Sequence, residues 1–146
     1  MDYTKNEAII QRLVEEWKAY GKIIIDYDFD NTIFDYHGKG VPHRDRVVSA
    51  IRAAKSLGAY CYCFTSSDDN RLKTIENHLK DEDIPCDGVN TDHRVVTFGG
   101  KKPYFNLLLD DRAGLGQALE CLEKAIEKIR VYRHNEQPIN QKSFDI

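Results

Sequence analysis

What this chain lacks narrows it first. None of its apolar runs approaches the roughly 20 residues that cross a bilayer, and no short apolar secretory core follows Met1. A cytoplasmic protein with no membrane partner is therefore expected. Basic charge is not in excess: 21 Lys and Arg stand against 24 Asp and Glu, a formal net charge of −3. No bulk field draws such a chain to nucleic acid or to an anionic surface. The four cysteines lack metal-ligand spacing, and in a reducing compartment they are thiols. Cys61 and Cys63 fall within one apparent strand, and all four cysteines read as core. Internal repeats, low-complexity tracts and interdomain linkers are also missing.

What is present fits one domain over residues 1–146. The chain is long enough for a sizeable core and too short for two ordinary domains. The stretch from Ile23 to Ile33 organises the rest. It begins as β-branched apolar residues and ends in carboxylates at alternating positions, Asp26, Asp28 and Asp30, followed by Thr32. A short apolar run that closes on turn chemistry reads as a buried parallel strand. Ligands bind at the carboxyl ends of such strands. Asp28 and Asp30 are therefore expected at the mouth of a site. Paired carboxylates repel and are costly to bury without a cation, and the hard divalent ion that suits oxygen ligands here is Mg²⁺.

Helical spacing flanks this strand. Thr4-Lys5-Asn6-Glu7 fits a capping box. It precedes an apolar face of Ile9, Leu13 and Trp17, with Ile10 and Val14 beside it, that would lie on the sheet, and residues 1–21 read as an N-terminal helix stopped by Gly21. A Gly-punctuated loop from Ile33 to Pro42 leads to a helix over about 44–57, stopped by Gly58. A second strand over about 59–64 ends at Thr65-Ser66-Ser67. A third helix carries Leu72, Ile75 and Leu79. Short strands are expected at Val95–Phe98 and, less clearly, at Cys86–Asn90. Gly99-Gly100-Lys101-Lys102-Pro103 reads as a turn. Phe105–Leu109 is a further buried strand closing on Asp110-Asp111. A final helix runs over about 115–132, and a polar tail follows over 133–146. Strands alternating with helices predict an α/β fold, a three-layer Rossmann-like arrangement with a mostly parallel central sheet and helices on both faces. That topology brings the ends of three strands, at Asp28, Thr65 and Asp110, to one sheet edge.

These residues carry a resemblance. Asp28-x-Asp30-x-Thr32 after an apolar strand, Thr65 closing the next, a lysine in the turn at Lys101-Lys102, and a strand ending in Asp110-Asp111 resemble the ordered motifs of the haloacid dehalogenase superfamily. The likeness spans about residues 23–111. It implies a Mg²⁺-dependent phosphatase in which Asp28 is the nucleophile and forms an aspartyl-phosphate. Asp30 would protonate the leaving oxygen and then activate water; its presence matches the phosphatases rather than the dehalogenases. The backbone carbonyl of Asp30 would join Asp28 and Asp110 around the metal, with Asp111 a further ligand or an orienter through water. Thr65, with Thr32 and Ser66, would bind the phosphoryl group, and Lys102, or alternatively Lys101, would neutralise it. Taken singly, Thr65 is also an ordinary N-cap, Asp110-Asp111 a helix cap beside Arg112, and a lysine in a turn a solvated charge.

The loop after Thr32 is too short for a cap domain, since domains need about 50 residues. The substrate is then either a macromolecular end that excludes water itself, or a smaller phosphorylated molecule at a site covered by a second copy of the chain. The loop from Phe34 to Lys39 is the candidate for contacting the leaving group, although its Tyr36 and His37 taken singly read as solvated loop residues, and His93 and Arg94 are left unassigned. Asp26 is expected in a structural hydrogen bond, and Asn31 in a turn. Two other readings use the same residues: a receiver that stores a phosphoryl group on Asp, and a catalytically weak phosphate-binding module. Asp30 argues against the first, and the intact acid–base and metal positions argue against the second.

Overall fold

Three short apolar strands, each followed by a helix, set the architecture. The computed structural model describes residues 1–91 and 103–136. Within them the elements run α1 (Asn6–Tyr20), β1 (Ile24–Asp28), α2 (Arg44–Ser56), β2 (Tyr60–Phe64), α3 (Asp69–Asp81), β3 (Leu107–Leu109) and α4 (Leu115–Glu136). β1 lies between β2 and β3 and runs parallel to both. The fold is α/β with an open parallel sheet, compatible with a Rossmann-like arrangement.

The apolar run of β1 is continuous because that strand is central. Ile24, Ile25, Asp26 and Tyr27 are all buried, and only Asp28 at its end is partly exposed. Asp26 is 1% exposed, as its deeper place along the strand requires. Tyr27 also spans the core, donating its hydroxyl to Pro85 O at 2.8 Å. Asn106 enters the same core as a satisfied polar group. Its Oδ1 accepts the Ile24 N–H at 2.6 Å, and its own N–H donates to Ile24 O at 2.8 Å. Cys61 and Cys63 are buried on β2, and Cys121 is buried on α4. Burial pushes the Cys61 thiol up to about 12, so it is a core group rather than a reactive one.

Several local expectations change. Thr4 and Glu7 do not form a capping box. α1 starts at Asn6 after Lys5, which makes no side-chain cap, while the Thr4 hydroxyl donates to Asp2 Oδ1 at 2.6 Å. The same Asp2 Oδ1 accepts the Thr4 N–H at 3.0 Å, which folds Thr4 into a local turn ahead of the helix. α1 packs chiefly on α4 rather than on the sheet, with Ala8, Leu13, Val14 and Trp17 buried. The Trp17 indole N–H donates to Leu57 O at 3.1 Å, joining the end of α1 to the end of α2. Cys86–Asn90 is not a strand. It follows β2 through one parallel bridge, Cys63 to Val89. α4 continues four residues beyond the expected Tyr132, through Glu136, and Arg133 donates to Gly21 O at 3.1 Å. The tail therefore begins in the helix. The expected strand at Val95–Phe98, Lys101, Lys102, His93 and Arg94 lie outside the described residues. None of the described helices is long and apolar enough to cross a membrane.

Candidate functional site

The strand register builds the site. Asp28 pairs with Phe64, so Thr65 follows directly at the tip of β2. Tyr27 pairs with Leu109, so Asp110 and Asp111 follow directly at the tip of β3. Asp28, Asp110 and Asp111 each offer a carboxylate oxygen, and the three oxygens lie within 4.8 Å of one another. Burial and the facing Asp110 and Asp111 push the Asp28 carboxyl up to about 7. A cleft of about 730 Å³ opens over them, lined by Asp28, Asp30, Thr65, Ser66, Arg71, Asp110 and Asp111, with Tyr36 and His37 at its rim.

Turns hold the carboxylates in place. Asn31 has φ +61°, the left-handed region that Asn tolerates better than most residues. That reverses the chain, with the Asn31 N–H donating to Phe34 O at 2.7 Å, and a His43 ring nitrogen donates to Asn31 O at 3.0 Å. Thr32 is fully buried and does not line the cleft. Its Oγ1 accepts the Asp111 N–H at 3.0 Å and lies 3.3 Å from Asp28 Oδ2 and 3.4 Å from Asp111 Oδ1. Thr32, expected among the phosphate-binding residues, thus lies behind the carboxylates rather than on the cleft surface. Asp110 Oδ1 accepts the Arg112 N–H at 2.9 Å. α4 begins only at Leu115, beyond Asp110 and Asp111.

Thr65 is not the cap of α3, because Asp68 occupies that position. The Thr65 hydroxyl instead accepts the Ser67 N–H at 3.2 Å and donates to Ser67 Oγ at 3.0 Å. Thr65 N–H donates to Asn90 Oδ1 at 2.8 Å, and Asn90 returns a bond to Thr65 O at 2.8 Å. The extra segment beside β2 therefore fixes the loop.

Sequence reasoning missed Arg71. From the first turn of α3 its guanidinium forks onto Asp30, at 2.6 Å and 2.8 Å, and also donates to Ser67 Oγ at 2.8 Å. Its carbon lies 5.6 Å from the Phe29 and Phe34 ring centroids and 5.3 Å from that of Tyr36. The Phe29 and Phe34 rings stack at 5.2 Å, with the His78 ring edge-on to both. One signal was readable. A helical side chain leans toward the N-terminus, so a cation one turn after Thr65-Ser66-Ser67 reaches back to the sheet edge.

Comparison with family models, curated proteins and solved structures gives no match for this chain.

Proposed function

We propose that this chain is a Mg²⁺-dependent phosphomonoesterase that works through an aspartyl-phosphate on Asp28, as its resemblance to the haloacid dehalogenase superfamily implies. The gathering of Asp28, Asp110 and Asp111 within 4.8 Å, at the floor of a cleft shared with Thr65 and Ser66, carries the reading. The residues fit the ion. The donors are hard oxygens, and the Asp28 carboxyl is raised by burial first and by the facing Asp110 and Asp111 second, both of which a bound cation would offset. Asp28, Asp110 and Asp111 would hold it with the Asp30 carbonyl. When bound, the ion would offset phosphoryl charge and favour ionised Asp28.

The chain's own residues then do the following. Asp28 attacks phosphorus, and the ester P–O bond breaks. Asp30 gives its proton to the leaving oxygen and later takes one from the water that cleaves the aspartyl-phosphate, which returns Asp28 and releases phosphate. The Thr65 and Ser66 hydroxyls bind phosphoryl oxygens, with Lys102 or Lys101 supplying a positive charge. His37 and Tyr36 meet the leaving group. The finer architecture goes with this reading: three layers, helices on both faces, and no cap over the cleft. An open cleft suits a macromolecular phosphate end, or a small phosphorylated molecule enclosed by a second copy.

One observation favours a weak phosphate-binding module instead: Asp30 is already engaged by Arg71. Hydrolysis of an aryl phosphate decides between them. The expected result is Mg²⁺-dependent phosphate release, lost with EDTA and lowered at least about a thousandfold in Asp28→Asn. Retained activity in Asp28→Asn removes the reading. A long-lived phosphoprotein formed from acetyl phosphate would favour the receiver.

A further inference from the structure

We propose that Arg71 binds the substrate's phosphoryl group and that, while the cleft is empty, the Asp30 carboxylate occupies its place. This rests on the phosphatase reading and names the anion receptor of that same site. The guanidinium offers a planar fork, which suits a carboxylate and a phosphate alike. In this structure the fork is spent on both oxygens of Asp30, at 2.6 Å and 2.8 Å, and a further bond at 2.8 Å reaches Ser67 Oγ. Ser67 in turn is bonded to the Thr65 hydroxyl at 3.0 Å. Arg71 thus joins the two halves of the site, the β1 turn and the loop after β2, through one polar chain.

Position and partners argue against a merely structural ion pair. The two side chains keep 28% and 27% of their exposure, and both line the cleft. A structural pair closes a surface; this one faces the space where the substrate would sit. The rings of Phe29, Phe34 and Tyr36 around the guanidinium, with centroids 5.3–5.6 Å away, hold a cation without spending its N–H donors. The donors remain free to change acceptor. Asp30 held on both oxygens is poorly placed to carry a proton to a leaving group. An incoming phosphoryl group that takes over the fork releases it. Binding and readiness for proton transfer are then one event.

The exchange makes a prediction that ordinary electrostatics does not. Inorganic phosphate is titrated calorimetrically into the full chain in Mg²⁺, comparing wild type with Asp30→Asn, Arg71→Ala, Arg71→Lys and the double variant Asp30→Asn/Arg71→Ala. Arg71→Ala weakens phosphate binding about tenfold or more, and Arg71→Lys recovers part of the loss. Asp30→Asn tightens binding severalfold, because the competing carboxylate is gone. In the Arg71→Ala background the same Asp30→Asn change brings little or no gain. A gain of equal size in both backgrounds reports only the removal of a repelling charge and overturns the proposal. So does wild-type binding that Arg71→Ala leaves unchanged, or the lack of phosphate binding by any variant. Melting curves establish that each variant is folded, and Arg71→Lys carries the test if Arg71→Ala is not. Failure here leaves Asp28-dependent hydrolysis standing. Activity retained by Asp28→Asn would instead remove the underlying reading, whatever the binding data show.

Discussion

Thr32 Oγ1 accepts the backbone N–H of Asp111 at 3.0 Å, so one buried hydroxyl joins the turn after β1 to the tip of β3. The same oxygen lies 3.3 Å from Asp28 Oδ2. Asp28 and Asp111, on the tips of two strands, therefore share an internal support in Thr32. Replacing Thr32 with Val keeps the shape and removes the acceptor. Thr32→Val is expected to destabilise the fold by about 1–2 kcal/mol, because the Asp111 N–H loses its partner. Thr32→Ser should retain most of the stability. Urea denaturation of the three proteins checks this, and Mg²⁺ titration should show weaker binding in Thr32→Val alone.

Asp28 is expected to make the stability of the chain depend on pH when no divalent cation is present. Its carboxyl rises from an ordinary 3.8 to about 7, through burial first and then the facing Asp110 and Asp111. Between those values the folded chain holds a proton that the unfolded chain has released. The stability due to that proton is complete below about pH 4 and is lost as pH rises through about 7. For a half-exposed group, after allowance for solvent screening, the loss should be roughly 2 kcal/mol. The measurement is the difference between wild type and Asp28→Asn in thermal melts from pH 4 to 8 with EDTA. Adding Mg²⁺ should flatten the difference, since a bound cation favours the ionised form.

Gly58 is the point where two helix ends meet. Its φ is +92°, and a Cβ placed there would lie 3.1 Å from Gly21 O, at the end of α1. Gly58→Ala therefore meets both a strained backbone and a close carbonyl. A loss of about 1–2 kcal/mol is expected, with no change in the site chemistry. Denaturant titration alongside phosphate binding separates the two effects. Weakened binding in proportion to the lost stability would show that the α1–α2 junction is coupled to the strand tips.

The sheet and the three strand tips were legible because local signals specified them. Ile23–Ile25 gave a buried strand, alternating carboxylates marked its end, and parallel topology then required Asp110 to lie beside Asp28. The expected capping box did not form because Asp2 holds Thr4 in a local turn through its N–H and hydroxyl, and the helix starts one residue later, after Lys5. Cys86–Asn90 runs beside β2, with backbone bonds to Cys61 and Cys63, but fell short of a strand because it completes one parallel bridge, at Val89. The Arg71–Asp30 pair escaped notice for a different reason. It joins a helix to a strand-end loop 41 residues away in sequence, and no periodicity records such a contact. The burial of Thr32 was hidden likewise. A threonine among acidic residues looks like a ligand until the neighbouring strand supplies an N–H for it to accept.

Asn31 bears on whether the turn that follows Asp30 is built for geometry or for contact. Its φ of +61° is a conformation that glycine adopts without steric cost. The hydrogen bonds that Asn31 makes here are backbone ones, N–H to Phe34 O and O from the His43 ring. Either residue can make them. Gly relieves the left-handed strain but adds freedom to the unfolded chain, and these effects oppose each other. Asn31→Gly should therefore lie within about 0.5 kcal/mol of wild type and retain phosphate binding. Asn31→Val, β-branched in a left-handed position, should lose about 1–2 kcal/mol and displace Asp30 from Arg71. Denaturant titration and phosphate calorimetry on the pair check this. If Asn31→Gly keeps its stability yet loses phosphate binding, the Asn31 amide contacts the ligand, and the turn is part of the recognition surface.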